Sequence, residues 1–329
     1  MFRLFLFEVI QMKIGVVFTG GTIGSKSGVS IDPDKEQPYK LLSICPDDVS
    51  YDVFEPYTIL SEYLTGSHIN KLLDCVGGLL CKDYDGIIVT HGTDTIQYSA
   101  AALGYAFAEC NIPIMLVGAQ YVLDNPDTNG FDNFIDSVEF IRQRLGTGVF
   151  VCYRNSDGRH YVHRGVRLLS AEAYSDDLKS VCNMYYGEFT RSGFIKNSDY
   201  REKIERQLNG VHLNEYCKKV LCAESQPGLG TCEIPDFVDA VLLSSYHCGT
   251  VNTDFNPLLI AARQRQIPVY LTGSDANVKY ESASHFKSLG VVPLPQMSPL
   301  AAYIKLWMIS DSGLDGSLMF KNIGDFINF

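Results

Sequence analysis

The sequence lacks several patterns that identify common classes of protein. None of its ten cysteines forms a C-x-x-C pair, so we expect reduced thiols rather than a disulfide framework. A compact basic cluster is also missing, and 27 basic against 38 acidic residues give a net charge of −11. A phosphate backbone would be repelled on average, which excludes nucleic acid as an expected partner. Internal repeats and low-complexity tracts are absent too, as in an ordinary soluble globular protein.

Apolar runs long enough to cross a bilayer do not occur. The run MFRLFLFEVI at 1–10 is too short, contains Glu8 and lacks a small-residue cleavage site. We therefore expect no membrane partner and a cytoplasmic protein. Because Met12 directly begins the first predicted strand, we interpret residues 1–11 as a leader from an early start codon.

Motifs for phosphate, dinucleotide and metal binding are missing as well. G-x-x-x-x-G-K is absent, and GGTIG at 20–24 is not G-x-G-x-x-G. His160 and His163 have a spacing that suits a metal only on a helix, whereas Tyr161 and Val162 between them favour a strand. The sequence thus predicts neither a cofactor nor a metal.

Apolar runs of strand length alternate with helical patterns along the chain. The runs lie at 14–18, 86–89, 112–117, 149–153, 238–243 and 267–271, and the helical patterns at 97–108, 132–144 and 299–309. This alternation predicts an α/β protein, and 329 residues favour two domains. We expect a mainly parallel sheet in an N-terminal catalytic domain at 12–190. A polar linker without strands would follow at 191–217, and then a smaller, flavodoxin-like C-terminal α/β domain at 218–329.

Two glycine-containing turns each place a threonine just after a predicted strand. The first is TGGTIGS at 19–25 and the second is THGTDT at 90–95. Ligands of parallel sheets bind beyond the carboxyl ends of the strands, so both turns can meet at one pocket. Amide hydrolysis needs a nucleophile, a proton acceptor and donors for an oxyanion, and a threonine in a glycine-rich turn supplies part of this set. Gly20 and Gly21 would leave backbone N–H groups facing the pocket.

Taken together, these two turns resemble the paired threonine signatures of the bacterial-type L-asparaginase family, more the cytoplasmic type I than the periplasmic type II. Weaker matches extend the resemblance from about Met12 to Ile309. They are SEYLT at 61–65, VGAQ at 117–120, NGFDN at 129–133 and SYHCGT at 245–250. The last resembles a segment that reaches the partner subunit's site.

The resemblance implies a role for each matching residue. Thr22 would be the primary nucleophile and Thr93 the second catalytic threonine, with Asp94 beside it. Ser61 would hold the carboxylate of an amino-acid substrate, while Glu62 and Asp94 would hold its ammonium group. Gly21, Gly92 and Ala119 would complete the substrate-binding site.

Two departures from the family pattern concern proton handling. Where the family has a lysine in an R-x-x-K segment, this chain has Arg167-Leu168-Leu169-Ser170. Lys179 is a poor replacement, since it aligns better with a nearby structural position. Where the family usually has a tyrosine in the mobile loop, this chain has Val29, and Tyr39 is the nearest candidate to replace it.

The sequence therefore predicts an asparaginase-like amidohydrolase that forms a homodimer or homotetramer and needs no cofactor. The expected reaction converts L-asparagine and water to L-aspartate and ammonia through a threonyl ester on Thr22. Two alternatives stay open: a catalytically impaired homologue that only binds an amino acid, and a hydrolase of a different amide or ester.

Overall fold

The computed structural model describes residues 11–26, 32–33, 37–228, 233–247, 249–274 and 287–328. Most of the predicted leader and the Val29 position lie outside these ranges. Among the helices in the described ranges, none is long and apolar enough to cross a membrane.

The first sheet has eight strands and carries both threonine turns. Its strands have the spatial order β10-β9-β8-β7-β6-β5-β1-β4. The five strands from β4 to β7 in this order run parallel, and β8, β9 and β10 pair antiparallel. The bounds are β1 Met12–Phe18, β4 Val49–Phe54, β5 Gly86–Thr90, β6 Pro113–Val117, β7 Gly148–Arg154, β8 His160–Arg164, β9 Gly187–Thr190 and β10 Gly193–Lys196, with a separate short pair β2 Ser25–Lys26 and β3 Asp32–Pro33.

The central strands are apolar because helices cover both faces of the sheet. All of β5 and β6 is buried, as is β1 from Ile14 onward. Helix α2 shows the complementary pattern, burying Ile69, Leu72, Val76 and Leu79 on one face. The helices are α1 Gln37–Ser43, α2 Gly66–Leu80, α3 Ile96–Ala106, α4 Gly130–Arg142, α5 Asn256–Gln264 and α6 Pro299–Asp311.

The second sheet belongs to the C-terminal part of the chain. Its four parallel strands follow one another in sequence order, and they are β11 Val220–Glu224, β12 Ala240–Ser244, β13 Val269–Thr272 and β14 Val291–Pro293. A separate core of residues from β12, α5 and β13 lies on one face. The α/β class with a larger, mainly parallel N-terminal sheet and a smaller C-terminal sheet is thereby confirmed.

Helix α6 joins the C-terminal part to the first sheet by packing against α3. Its Lys305 is fully buried and pairs with the fully buried Asp325 at 2.8 Å. Asp325 also accepts a hydrogen bond from Tyr105 of α3 at 3.1 Å. The segment 322–327 is buried, and the ion pair of Asp325 fixes it in the core.

The prediction that the linker at 191–217 contains no strand was wrong. The polar segment after Phe189 contains strand β10, which extends the first sheet beyond residue 190 as a hairpin with β9. Its side chains are partly exposed, so no apolar run marks it in the sequence. The division at 12–190, 191–217 and 218–329 remains a proposal.

Candidate active site

The two threonine turns leave neighbouring strands at the same edge of the sheet. Strands β1 and β5 are adjacent and parallel, and Phe18 pairs with Thr90 where they end. The hydroxyl of Thr19 donates to the carbonyl oxygen of Thr90 at 2.7 Å. The turns thus start side by side although they are far apart in sequence.

The turns then touch through their glycines. Gly21 has φ +76°, and a Cβ atom added to it would lie 2.4 Å from the Cα atom of Gly92. No side chain fits in that space, and the left-handed backbone also disfavours any other residue. Glycine is required at 21 because two backbones meet there.

Ser61 reaches the same point from a third direction. It begins a short 3-10 helix at Ser61–Tyr63, and a Cβ atom added to Gly92 would lie 1.9 Å from its Oγ atom. The hydroxyl of Thr95 lies 3.5 Å from the carbonyl oxygen of Ser61. The structure therefore brings the predicted carboxylate ligand against the predicted catalytic turn.

The expectation for the N–H group of Gly21 was wrong. This group donates to the carbonyl oxygen of Ile59 at 2.9 Å, which ties the first turn to the segment before Ser61. In contrast, the N–H groups of Gly92 and Thr93 have no acceptor among the described residues. They are the backbone donors available to a ligand.

Thr93 is held by the turn after β6. A Cβ atom added to Gly118 would lie 2.8 Å from the Cγ2 methyl of Thr93, so glycine leaves room for that methyl group. The hydroxyl groups of Thr22 and Thr93 have no hydrogen-bond partner among the described residues, and both residues are partly exposed. Both hydroxyls are therefore free to interact with a ligand.

Two buried asparagines fix this third turn to the end of β7. Asn133 donates to the carbonyl oxygen of Gly118 at 2.9 Å and accepts from the N–H of Arg154 at 2.7 Å. Asn129 accepts from the N–H of Gln120 at 2.8 Å and donates to the carbonyl oxygen of Arg154 at 2.9 Å. The NGFDN match thus has a structural role in shaping the turn. Ala119, predicted to bind substrate, lies fully buried within it.

His91 forms a buried support behind the second turn that sequence reasoning did not identify. Its ring nitrogens lie 3.0 Å from the carbonyl oxygen of Gly92 and 2.8 Å from the hydroxyl of Ser99. Burial lowers its pKa to about 4, so the ring is neutral at physiological pH. The sequence signal that could have identified this role is a histidine directly after a buried strand.

The two predicted ammonium ligands are exposed at this edge. Neither the Glu62 nor the Asp94 carboxylate is hydrogen bonded or ion paired with a described residue. The α3 side chain Gln97 donates to the backbone carbonyl of Asp94 at 2.9 Å, which leaves the carboxylate free. Both groups are available to a cation.

No cationic side chain of the described residues is hydrogen bonded to Thr93. Leu169 is partly buried, Ser170 is exposed, and the N–H of Leu169 donates to the carbonyl oxygen of Lys179 at 2.9 Å. The ammonium of Lys179 instead pairs with Glu172 at 2.7 Å on the surface. Arg167 is buried and donates to backbone carbonyl oxygens of the chain end.

The remaining sequence candidates have contacts of their own. Tyr39 packs edge-on against Phe18, with ring centres 5.6 Å apart, and its hydroxyl lies 3.5 Å from Glu55. His160 pairs with Asp136 at 2.6 Å, whereas His163 pairs with Ser180 at 2.8 Å. Within the described ranges, no group of three or more His, Cys, Asp or Glu residues could hold a metal ion.

Comparison with known proteins identifies the class to which this fold and site belong. The family model for the N-terminal part of asparaginase matches residues 13–198. The chain therefore belongs to the asparaginase family of amidohydrolases.

Curated relatives and solved structures cover nearly the whole chain. It is 28% identical to a subunit of the glutamyl-tRNA(Gln) amidotransferase of Methanobrevibacter smithii, over 96% of this chain and 77% of that protein. The thermostable L-asparaginase from Thermococcus kodakarensis has a similar fold, with a TM-score of 0.74, 21% identity, and coverage of 95% and 98% of the two chains. L-asparaginase I from Vibrio cholerae gives a TM-score of 0.76 at 20% identity, over 94% and 95%.

Proposed function

We propose that this protein hydrolyses L-asparagine to L-aspartate and ammonia. One observation carries the proposal: the turns that hold Thr22 and Thr93 touch at Gly21 and Gly92, and Ser61 lies against the same glycine. Three segments that are distant in sequence thus present hydroxyl groups at one edge of the sheet. Such an arrangement suits acyl transfer from a small polar substrate.

The reaction needs two steps. The Thr22 hydroxyl attacks the carbon of the side-chain carboxamide, loses its proton, and forms a tetrahedral oxyanion. The free N–H groups of Gly92 and Thr93 are suitable donors for that oxyanion. The C–N bond then breaks, the nitrogen leaves as ammonia with the transferred proton, and a threonyl ester remains. Water cleaves the ester, which releases aspartate and restores the hydroxyl.

Charge at the site favours a free amino acid. The Ser61 hydroxyl would donate to the substrate's α-carboxylate, and the unpaired carboxylates of Glu62 and Asp94 would receive its α-ammonium group. Charge-assisted hydrogen bonds of this kind are stronger than neutral ones. The ammonium group would then leave water without being left unpaired.

Among the described residues, Thr93 has no cationic partner. This observation favours a second candidate function. A substrate with a better leaving group, or one that is bound but not turned over, would need no lysine at position 169 or 170. The amidotransferase subunits to which the chain is similar make a different amide a specific alternative. In either case we propose a cytoplasmic homo-oligomer that acts without a cofactor.

A substrate panel separates these functions. Purified protein is incubated with L-asparagine, L-glutamine and a simple aspartyl ester, and ammonia or alcohol release is measured together with the melting temperature. The proposal predicts ammonia from asparagine in excess of that from glutamine. Stabilisation by asparagine without ammonia would indicate a binding protein, and preferential cleavage of glutamine or of the ester would indicate the other hydrolase.

A further inference from the structure

A second pocket adjoins the candidate active site. It has a volume of about 390 Å³ and lies between α2, the start of α3, α6 and residues 215–217. Typical sites for small organic molecules have volumes of about 300–1,000 Å³. The two sites meet at Asp94, which belongs to the catalytic turn and also lines this pocket.

Aromatic rings form much of the pocket wall. Tyr98 and Tyr303 are nearly perpendicular, with ring centres 6.5 Å apart, and Tyr303 lies 5.8 Å from Trp307. Elsewhere protein cations cover ring faces, as Lys305 does for Tyr105 at 5.4 Å. Within the described part of the chain, no lysine or arginine lies over the rings of this pocket.

The charged groups of the pocket are all acidic. Its described lining contains the carboxylates of Asp94 and Glu215 and no lysine, arginine or histidine. Neither carboxylate has an ion pair or side-chain hydrogen bond with a described residue. His68 lies near Glu215, but partial burial lowers its pKa below the ordinary value, so it does not neutralise the carboxylate at physiological pH.

The remaining polar groups of the lining carry no charge. Burial raises the pKa of the Cys217 thiol to about 12. The N–H of Trp307 is already used, since it donates to Asp311 at 2.6 Å. A ligand would therefore meet two negative charges in a cavity with aromatic walls.

We propose that this pocket binds an organic ammonium ion with an apolar body, such as an aralkylamine. The ammonium group would pair with Glu215 and Asp94, and the body would lie against Tyr98, Tyr303 and Trp307. Rings and carboxylates both attract a cation. An α-amino acid is disfavoured, because its own carboxylate would face the same two negative charges.

The chain offers a local probe, since Trp307 is its single tryptophan. We would titrate the full-length protein with 2-phenylethylammonium chloride and follow tryptophan fluorescence at constant ionic strength. The matched ligands are 2-phenylethanol, which lacks the charge, and L-phenylalanine, which adds a carboxylate. We expect saturable binding of the amine, and binding at least about tenfold weaker for the alcohol and for phenylalanine.

Two variants test the wall residues separately. Glu215→Gln should weaken amine binding about tenfold or more, whereas the exposed control Glu233→Gln should leave it unchanged. Tyr98→Leu should weaken it by about two- to fivefold through loss of the ring. Calorimetry with the folded variants, confirmed by circular dichroism, gives the affinities.

Three results would overturn the proposal. They are a lack of saturable fluorescence change at millimolar amine, equal affinity for the alcohol, and unchanged binding to Glu215→Gln. If a second copy of the chain covered the pocket, the amine would produce no saturable fluorescence change, which is the first of these results. Because no turnover is measured, the result is independent of the proposed hydrolysis.

Discussion

The Nε2 atom of His91 accepts a hydrogen bond from the hydroxyl group of Ser99, over 2.8 Å. The other ring nitrogen lies 3.0 Å from the carbonyl oxygen of Gly92, and a carbonyl can only accept, so Nδ1 carries the proton. The neutral ring thereby ties the turn at 90–95 to helix α3. It fixes the position of Gly92, which both Gly21 and Ser61 contact.

The titration of His91 should make stability depend on pH. Its pKa is lowered by burial from 6.5 to about 4, so the unfolded chain binds more protons in that interval. The stabilisation is fully present above pH 6.5 and is lost as the pH falls through about 4. Each pH unit between these values should cost up to about 1.4 kcal/mol of unfolding free energy.

Denaturant unfolding at several pH values checks this. A His91→Asn variant should lose this part of the slope, while His163, whose pKa burial lowers to about 3, still contributes its own. If the variant does not fold, Ser99→Ala provides the test, since it should destabilise the protein by about 1–3 kcal/mol through the unpaired Nε2. An unchanged slope, or a neutral Ser99→Ala, would show that the ring does not support the turn.

The contact between Gly21 and Gly92 predicts a large effect of one methyl group. Gly21→Ala should both destabilise the protein and abolish activity, because its Cβ would meet the backbone of Gly92 at 2.4 Å. Gly158→Ala is a matched control, since Gly158 has φ +77° and nothing within 4 Å of the added Cβ. The control should cost only about 1–2 kcal/mol, the strain of a left-handed backbone. Equal stability and full activity in the two variants would refute the close approach.

A lysine at the position where the family pattern has one should accelerate turnover. Positioned acid–base catalysis contributes about 10²–10⁴ in rate, so asparagine hydrolysis by the native chain should be slow. Ser170→Lys, or Leu169→Lys if the register differs by one residue, should raise kcat with little effect on KM. Lys179→Ala is the control and should leave kcat unchanged, because Lys179 is paired with Glu172. A native kcat of hundreds per second would show that another group already performs this role.

Glu62 should contribute to amino-acid binding. Glu62→Ala should weaken binding of L-aspartate by about 1.5–3 kcal/mol, the range for a charge-assisted hydrogen bond. Glu109→Ala removes an exposed carboxylate outside the two threonine turns and serves as the control. Calorimetric titration that gives the same affinity for the native protein and Glu62→Ala would exclude the assigned role.

Much of the fold is predictable from the sequence because buried strands appear as local runs of apolar residues. The apolar runs at β1 and β5 predicted the two central strands, and their following turns predicted where a ligand would bind. Strand β10 was missed because an edge strand is partly exposed and needs no apolar run. The buried pair of Lys305 and Asp325 was missed because a charged residue is expected to be exposed unless a partner of opposite charge is known.

The motifs of the site were predictable from the sequence, but the hydrogen bonds that connect them were not. Sequence resemblance selected Thr22, Ser61 and Thr93, and the structure brings their segments together. The roles of Asn129 and Asn133 depend on backbone atoms of the turn after β6 and of the end of β7, and no pattern of side chains reveals such bonds. The N–H of Gly21 was misassigned for the same reason, since its acceptor on Ile59 lies in a distant segment.

The central claim is that Thr22 is the nucleophile of an asparagine hydrolase. The most direct test measures ammonia and aspartate formation from L-asparagine by the native protein and by Thr22→Val, which keeps the shape of the side chain without its hydroxyl. The account predicts equal amounts of ammonia and aspartate from the native protein and at least a roughly 10³-fold lower kcat for the variant, since loss of a nucleophile typically costs that much or more. Native protein that releases no ammonia, or a Thr22→Val variant that is as active as the native protein, would contradict it.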